Sequence, residues 1–335
     1  MRNLTGQFRA LFMAAAIGIA AMPAARAADA AIPATPEAGS FKIGIEPWLG
    51  YGQWHVAQAK DLFKANGLSD VQIVNFSEDK DINAALASGQ LDGASLATHT
   101  AIAMAANGLP IKIVMLLDVS LTADAIIAGK DIKSIADLKG KQVAFEQGTT
   151  SDILMNYALA SAGMSVKDID VVAMPAADAG AALVAGRVPV AVTYEPYLTV
   201  ALKQDPKLKL LFSAGADPGL VSDVLVVRED VLKNRPGQVI AMIEAWDAAL
   251  AAYEKDTPAG RSIIAKAVGS NAQELDTAFD GIRFYSLAEN KAALGKEFAA
   301  KTFENVKAAA RKAGIITADI AAKAVVVPAF VDGAP

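Results

Sequence analysis

From Phe41 onward the chain alternates short apolar runs with longer segments of helical apolar spacing. The runs "FKIGI", "VQIVNF", "IKIVMLL", "ADAIIA", "KQVAFE", "DVVAM", "VAVTY", "KLLF" and "DVLVVR" read as strands. Between them, "GQWHVAQAKDLFKANG", "INAALASG", "SDILMNYALASAG" and "AGAALVAG" read as helices. Such alternation predicts an α/β fold with mostly parallel sheets flanked by helices. After "VSDVLVVREDVL" the pattern changes to long helices: "GQVIAMIEAWDAALAAYEKD", "GRSIIAKAV", "NAQELDTAFDGI" and "KAALGKEFAAKTFENVKAAARKAG". They bring no second set of strands and are expected to pack back on the first half.

The pattern also repeats. Ala84-Ala85-Leu86 recurs as Ala181-Ala182-Leu183, an offset of 97 (181 minus 84). "KIGIE" recurs as "QVAFE", with Glu46 matched to Glu146 at an offset of 100 (146 minus 46). Two related α/β lobes are therefore expected. The first is discontinuous, residues 41–124 plus 223–335, and the second spans residues 125–222, with crossings near residues 123–128 and 219–224.

In such sheets ligands sit beyond the carboxyl ends of the strands, where loops enter helices. In the first half these loops are "EPWLGYGQW" and "SLATHT"; in the second they are "EQGTTSD" and "TYEPY". Four loops facing one cleft suit hinge closure on a small ligand. Trp48 and Tyr51 stand in a Pro/Gly loop between strand and helix, which favours the cleft mouth over the core. Trp54 lies inside the following helix, where packing and ligand contact are both open. Aromatic faces there can stack on a planar ligand or hold a cation. "EQGTTSD" opens a helix whose N–H groups suit an anion, and Ser151 or Thr150 could equally be its cap. In "TYEPY", Pro196 suits a first helical position, which puts Glu195 at the strand end beside Tyr194 and Tyr197.

Charge refines this picture. Glu46, Asp118, Asp124, Glu146, Glu195 and Asp223 fall near strand ends or crossings, and no arginine or lysine does so clearly. A guanidinium fork usually meets an anion. Acids beside aromatics instead favour an amine, amidine or other polar nitrogen compound.

Catalysis finds little support. "GASLA", Gly93–Ala97, approaches a nucleophile elbow, but with only His55 and His99 in the chain no triad order can be assembled. That segment is read as a turn of small residues. Two histidines and no cysteine disfavour a transition-metal site, and neither a phosphate loop nor a dinucleotide fingerprint occurs. No cofactor or metal is expected. A net charge of −5 offers no basic footprint for nucleic acid.

The N-terminus adds a location. "MRNLTGQFR", "ALFMAAAIGIAAM" and "PAARAADA" form a basic region, a short apolar segment and a small-residue cleavage site, as in an export signal. Cleavage after Ala27 would leave residues 28–40 as a flexible, Pro/Ala-rich lead. With no cysteine there is no thiol for a lipid anchor or a disulfide.

With these loops placed, the chain resembles the periplasmic substrate-binding proteins of ABC importers of the nitrate/taurine/aliphatic-sulfonate type. The resemblance rests on "IGIEPWLGYGQWHVAQAKDLF", "ALASGQLDGASLATHTAIAMAANGLPIKIV", "DIKSIADLKGKQVAFEQGT" and "AGRVPVAVTYEPYL". It implies a two-lobed, type II periplasmic binding fold, a small-molecule ligand, and delivery to a permease with its ATPase by a monomeric periplasmic protein. By position it implies that Trp48 and Tyr51 face the ligand, with Thr98 and His99 on the second loop. Asp118, Ser120 and Asp124 match the family's D-x-S-x-x-x-D stretch. Gly148, Thr149, Thr150, Glu195 and Tyr197 would serve from the second lobe. Pro189 stands where the family commonly has an aspartate. The resemblance leaves the ligand open between a cationic or zwitterionic nitrogen compound and a sulfonate or nitrate. It leaves open, too, a sensor that feeds no transporter. A related branch that makes a thiamine precursor depends on a cysteine-rich stretch absent here.

Overall fold

The computed structural model describes residues 35–335. The expected export signal, residues 1–27, and the start of the lead, residues 28–34, lie outside the described residues. The rest of the lead is held in place. The Glu37 carboxylate accepts the N–H groups of Gly237 and Gln238 at 3.2 and 2.9 Å, capping the helix Pro236–Lys255. A carboxylate at a helix N-terminus satisfies orphan donors and meets the positive end of the dipole.

Eleven strands are described: β1 (Ser40–Ile45), β2 (Asp70–Asn75), β3 (Gly93–Ala97), β4 (Ile111–Ser120), β5 (Asp124–Ala128), β6 (Gln142–Phe145), β7 (Asp170–Ala173), β8 (Val190–Tyr194), β9 (Lys209–Ser213), β10 (Ser222–Arg228) and β11 (Ile282–Phe284). They form two sheets, ordered β11-β4-β10-β3-β1-β2 and β7-β6-β8-β5-β9. β1 runs parallel to β2 and β3, while β10 is antiparallel to both β3 and β4. The second sheet copies this plan: β6 is parallel to β7 and β8, and β5 is antiparallel to both β8 and β9. Both sheets are therefore mixed rather than mostly parallel as expected, because the strand that follows each crossing, β5 or β10, runs against its neighbours.

The repeat seen in the sequence is written into the register. Ile43 pairs with Gly93 in the first sheet and Val143 with Val190 in the second, so the same offsets of 100 and 97 recur. "GASLA" departs from the turn expected of it. It is the buried strand β3, because its small residues let it sit between β1 and β10. A Cβ on Gly93 would lie 2.7 Å from the Val226 carbonyl oxygen, so glycine is needed for that approach.

Strand alternation buries both faces of the second sheet. Ile126, Val143, Phe145, Val190 and Val192 pack with Leu154 and Met155 of the helix Thr150–Ser161. Ala125, Ile127, Ala144 and Ala191 point the other way, against Leu183 and Leu198. The single helix expected from "GQWHVAQAKDLFKANG" is split into Gly52–Ala59 and Leu62–Ala65 by Asp61 at φ 55. Asp tolerates this left-handed region better than most side chains. "NAQELDTAFDGI" forms no α-helix and ends in the 3-10 turn Ala278–Gly281. That turn introduces β11, an edge strand the sequence pattern did not suggest.

The chain passes from the first sheet to the second at residues 121–123 and returns at residues 214–221. The first passage lies before the position expected for it, because residues 124–128 are already β5. It is held by the Gly281 carbonyl, which accepts the N–H groups of Leu121 and Thr122 at 2.7 and 3.1 Å. A Cβ on Gly281 would sit 2.8 Å from Thr122 Oγ1 and 2.9 Å from Ala123 N.

Candidate functional site

A cavity of about 60 Å³ lies where the carboxyl ends of strands from both sheets converge. Glu46, Trp48, Tyr51, Ser77, Ala97, Val221 and Asp223 line it from the first sheet's side. Asp124, Glu146, Thr149, Thr150, Ser151, Pro175, Ala176, Ala177 and Tyr194 line it from the second. The internal repeat orders the acids. Glu46 and Glu146 are equivalent at the offset of 100 (146 minus 46). Asp223 pairs across the ladder with Ala97, and Asp124 with Tyr194, at the offset of 97 (194 minus 97). Two symmetry-related pairs of carboxyl groups thus surround one space, and among the described residues no lysine or arginine lines it.

The aromatic wall starts at Trp48, which precedes the 3-10 turn Leu49–Tyr51 in extended conformation. Its indole is only 6% exposed and meets Tyr194 edge-on at 6.0 Å between centroids. Tyr194 in turn meets Tyr197 at 5.3 Å, also edge-on. Trp48 comes from the first sheet's side and Tyr194 from β8, so this contact joins the two walls.

Behind Trp48 lies Asp118, on β4 and 0% exposed, whose Oδ1 accepts the indole Nε1–H at 3.1 Å. Asp118 pairs in register with Asp223 of β10 and is in hydrogen-bond contact with its carboxyl. Burial, opposed by the bonds to Asp223 and Trp48, pushes the Asp118 carboxyl up to about 7. Asp124 is also pushed up to about 7. Burial is the main cause, the Ser120 hydroxyl opposes it, and the charges of Asp223 and Glu195 add to it. Ser120 Oγ accepts the Asp124 N–H at 3.0 Å and so fixes the turn between β4 and β5.

The "EQGTTSD" loop brings Thr149, Thr150 and Ser151 to the cavity at the start of the helix Thr150–Ser161. The cap residue is Thr149 rather than Thr150 or Ser151, and its hydroxyl donates to the Glu146 carbonyl at 3.0 Å while accepting no N–H of the helix. Asp152 stands in the first turn and accepts the Gly148 N–H at 2.9 Å. The terminus therefore already carries a carboxylate. Gly148, at φ +81, makes the turn and does not line the cavity.

Other expected site residues lie elsewhere. Trp54 is in the core: its Nε1 donates to Ser95 Oγ at 2.9 Å, and its ring lies 4.8 Å from Trp246. A buried indole needs an acceptor, and β3 supplies one. That contact also fixes Ser95 as a structural acceptor rather than a nucleophile. Glu195, 5% exposed, turns back to accept the Thr199 N–H at 3.1 Å and the Thr199 hydroxyl at 2.8 Å. It stabilises the first turn of the helix Tyr197–Gln204 instead of facing the cavity. Pro196 precedes that helix after a cis bond rather than starting it. Thr98 is bonded to Ser222 at 2.9 Å, a link between the start of the helix Thr98–Ala106 and β10. His99 is buried against Thr100 and held down to about 4 by that burial. Asp118, Ser120 and Tyr197 back the lining without reaching it.

Ser77 and the segment starting at Pro175 line the cavity but were not expected to. They follow β2 and β7, which are equivalent in the repeat, so the strand-end rule extended to the second strand of each half finds them. The Ala176 N–H donates to the Glu146 carboxylate at 3.0 Å, which ties this loop to the acid it flanks.

Comparison with known proteins gives a family and a fold. The NMT1/THI5-like family model matches residues 51–258. A Brucella abortus protein named as a binding protein is 27% identical over 239 residues, covering 70% of this chain and 71% of its own. The structure is similar to that of the periplasmic aliphatic sulphonate-binding protein SsuA from Escherichia coli, with a TM-score of 0.73 at 20% identity over 87% of this chain and 92% of the other. It is also similar to the periplasmic nitrate-binding protein NrtA from Synechocystis, with a TM-score of 0.64 at 19% identity over 90% and 92% of the two chains. At these identities the likeness establishes the fold, a two-lobed periplasmic binding fold.

Proposed function

Because the chain belongs to the NMT1/THI5-like family, we propose that it is the solute-binding component of an ABC import system. On this reading it binds and does not transform. It works in the periplasm after removal of a signal peptide, as a monomer that passes its ligand to a permease and its ATPase. Its ligand is a small cationic or zwitterionic nitrogen compound held between the two sheets, with closure about the two crossings.

One observation carries the choice of ligand. Glu46, Glu146, Asp124 and Asp223 surround the cavity with Trp48, Tyr51 and Tyr194, and no cationic side chain lines it among the described residues. Carboxylates and aromatic faces both attract a cation, and water exclusion strengthens that attraction. A sulfonate or nitrate is the second reading, favoured by the sulphonate and the nitrate after which the Escherichia coli and Synechocystis proteins are named. It would have to use the Thr149–Thr150–Ser151 terminus, where Asp152 already answers the helix dipole.

The test is thermal melting of the chain from Ala28, unfolded and refolded to remove carried ligand. Amines, amidines, guanidines and ureas are compared with taurine, alkanesulfonates and nitrate. At about 100 times its dissociation constant a ligand adds roughly 2.7 kcal/mol, on the order of 5 °C for a chain of this size. A shift with cations and none with anions supports the reading. A shift with sulfonate or nitrate alone overturns the ligand class and leaves the family standing.

A further inference from the structure

The two halves of the fold also meet away from the cavity. The helix Tyr197–Gln204 starts at the aromatic wall, just after Tyr194, and carries Lys203 in its last turn. The Lys203 ammonium donates to the Glu274 carbonyl at 2.5 Å and lies 3.6 Å from the Asp276 carboxylate. Both acceptors belong to the segment between the helix Thr257–Ala267 and the 3-10 turn Ala278–Gly281, which leads into β11 of the first sheet. This is the "NAQELDTAFDGI" stretch that forms no α-helix. Without a helical ladder over that stretch, the Glu274 carbonyl is left for a side-chain donor.

The receiving segment is held independently of Lys203. Leu275 is 0% exposed and pins it to the core. The Ser270 hydroxyl donates to the Glu274 carboxylate, and the Glu274 N–H to Asn271 Oδ1, both at 2.9 Å. Arg261 donates to the Asp276 carbonyl at 2.8 Å, and the Thr277 N–H to Asp276 Oδ1 at 2.9 Å. The preceding helix Thr257–Ala267 packs closely on the helix Gly52–Ala59: a Cβ on Gly52 would lie 2.6 Å from Ile264. The helix Gly52–Ala59 follows Tyr51 directly. Each end of the Lys203 contact thus leads back to the aromatic wall, to Tyr194 on one side and to Trp48 and Tyr51 on the other.

We propose that Lys203 is a closure latch: it bridges the two halves when the cleft is shut and sets how long it stays shut, without touching the ligand. Lys203 does not line the cavity, so its role is positioning. When the halves part about the two crossings, it exchanges the Glu274 carbonyl and the Asp276 carboxylate for water. The side chains of Lys203 and Asp276 are 50% and 65% exposed, so dissolved salt screens their attraction. An exposed pair of this kind shifts an equilibrium a few-fold, which suits tuning of closure rather than command of it. The latch rests on the closure proposed above and is independent of the charge of the ligand.

The test uses the absence of cysteine from the chain, which lets two introduced thiols carry spin labels. Lys60→Cys with Lys139→Cys, and Lys64→Cys with Lys167→Cys, place labels at exposed positions on either half. Pulsed electron resonance then reads the distances between the halves in the ligand-free protein. The open-to-closed ratio is expected to rise about threefold in Lys203→Met and further in Lys203→Glu, where like charges face each other. Raising the salt should open the parent protein and leave Lys203→Met nearly unchanged. The charge swap, Lys203→Glu with Asp276→Lys, is expected to bring the distances most of the way back, which a change in local packing would not do. Equal distance distributions in the parent and Lys203→Glu overturn the proposal, and so does a swap that restores nothing. The readout needs no ligand, so a failed latch leaves the melting test of the ligand class untouched, and failure of that test leaves the latch standing.

Discussion

Trp48 and Asp118 lie 70 positions apart and meet through one hydrogen bond, indole Nε1 to carboxyl Oδ1 at 3.1 Å. The bond fixes an aromatic wall of the cavity to a buried acid near the end of β4, the strand beside the edge of the first sheet. It links what a ligand would touch to the carboxyl pair beneath it. Replacing Trp48 by Phe keeps the ring but removes the donor. The expected cost is about 1–3 kcal/mol in urea unfolding, because Asp118 loses its partner in a buried position. Affinity for a cation is expected to fall as well.

Gly50 is where backbone, indole and acid come together. A Cβ there would overlap both Trp48 Nε1 and Asp118 Oδ1. Gly50→Ala is therefore expected to push the two apart, lower stability by about 1–3 kcal/mol and weaken ligand binding more than tenfold. Chemical denaturation and calorimetry of the same variant check both parts.

Stability should carry a pH signature. Asp118 and Asp124 hold their protons to about 7 in the fold, against 3.8 for an ordinary aspartate. The folded chain keeps protons that the unfolded chain has released. The acids' contribution is therefore full below about 4 and is lost as pH rises through 7. His99 has the opposite sign: held down to about 4 from 6.5, its contribution is full above 6.5 and is lost as pH falls toward 4. Above 6.5 only the acids act. Urea unfolding of the ligand-free protein is expected to show stability declining from pH 6.5 to about 8, with a shallower decline in Asp118→Asn.

Glu195 separates a capping role from a ligand role. Its carboxylate takes both donors of Thr199. Glu195→Ala is expected to lose about 1 kcal/mol with the helix start, while ligand affinity changes less than threefold. Loss of binding at unchanged stability would return Glu195 to the cavity wall.

Trp54→Phe gives the matching control in the core. It deletes the bond to Ser95 and should cost about 1–3 kcal/mol without altering affinity. Melting curves with and without ligand distinguish the two effects.

The sequence by itself determined the class of fold, the alternation of strands and helices, and the internal repeat, because apolar period and local similarity are properties of the chain. The offsets of 97 and 100 between its halves reappear unchanged in the strand register. The strand-end rule also located the loops that hold Trp48, Tyr51, Thr149 and Tyr194. Only the tertiary structure decided which way individual side chains turn. "GASLA" is too poor in branched residues to read as a strand, yet it is one, because two neighbouring strands demand small residues between them. The Pro/Gly loop already set Trp48 toward the cleft, but its helix left Trp54 open between packing and ligand contact; Ser95 draws Trp54 into the core, and Asp118 holds Trp48 at the cavity. Glu195 and Asp223 both stand at strand edges. Thr199, four residues on in a helix, turns the first away, and the ladder partner Ala97, too small to cover it, leaves the second facing the cavity. Contacts formed only in the folded chain, most of them between residues distant in sequence, set these outcomes.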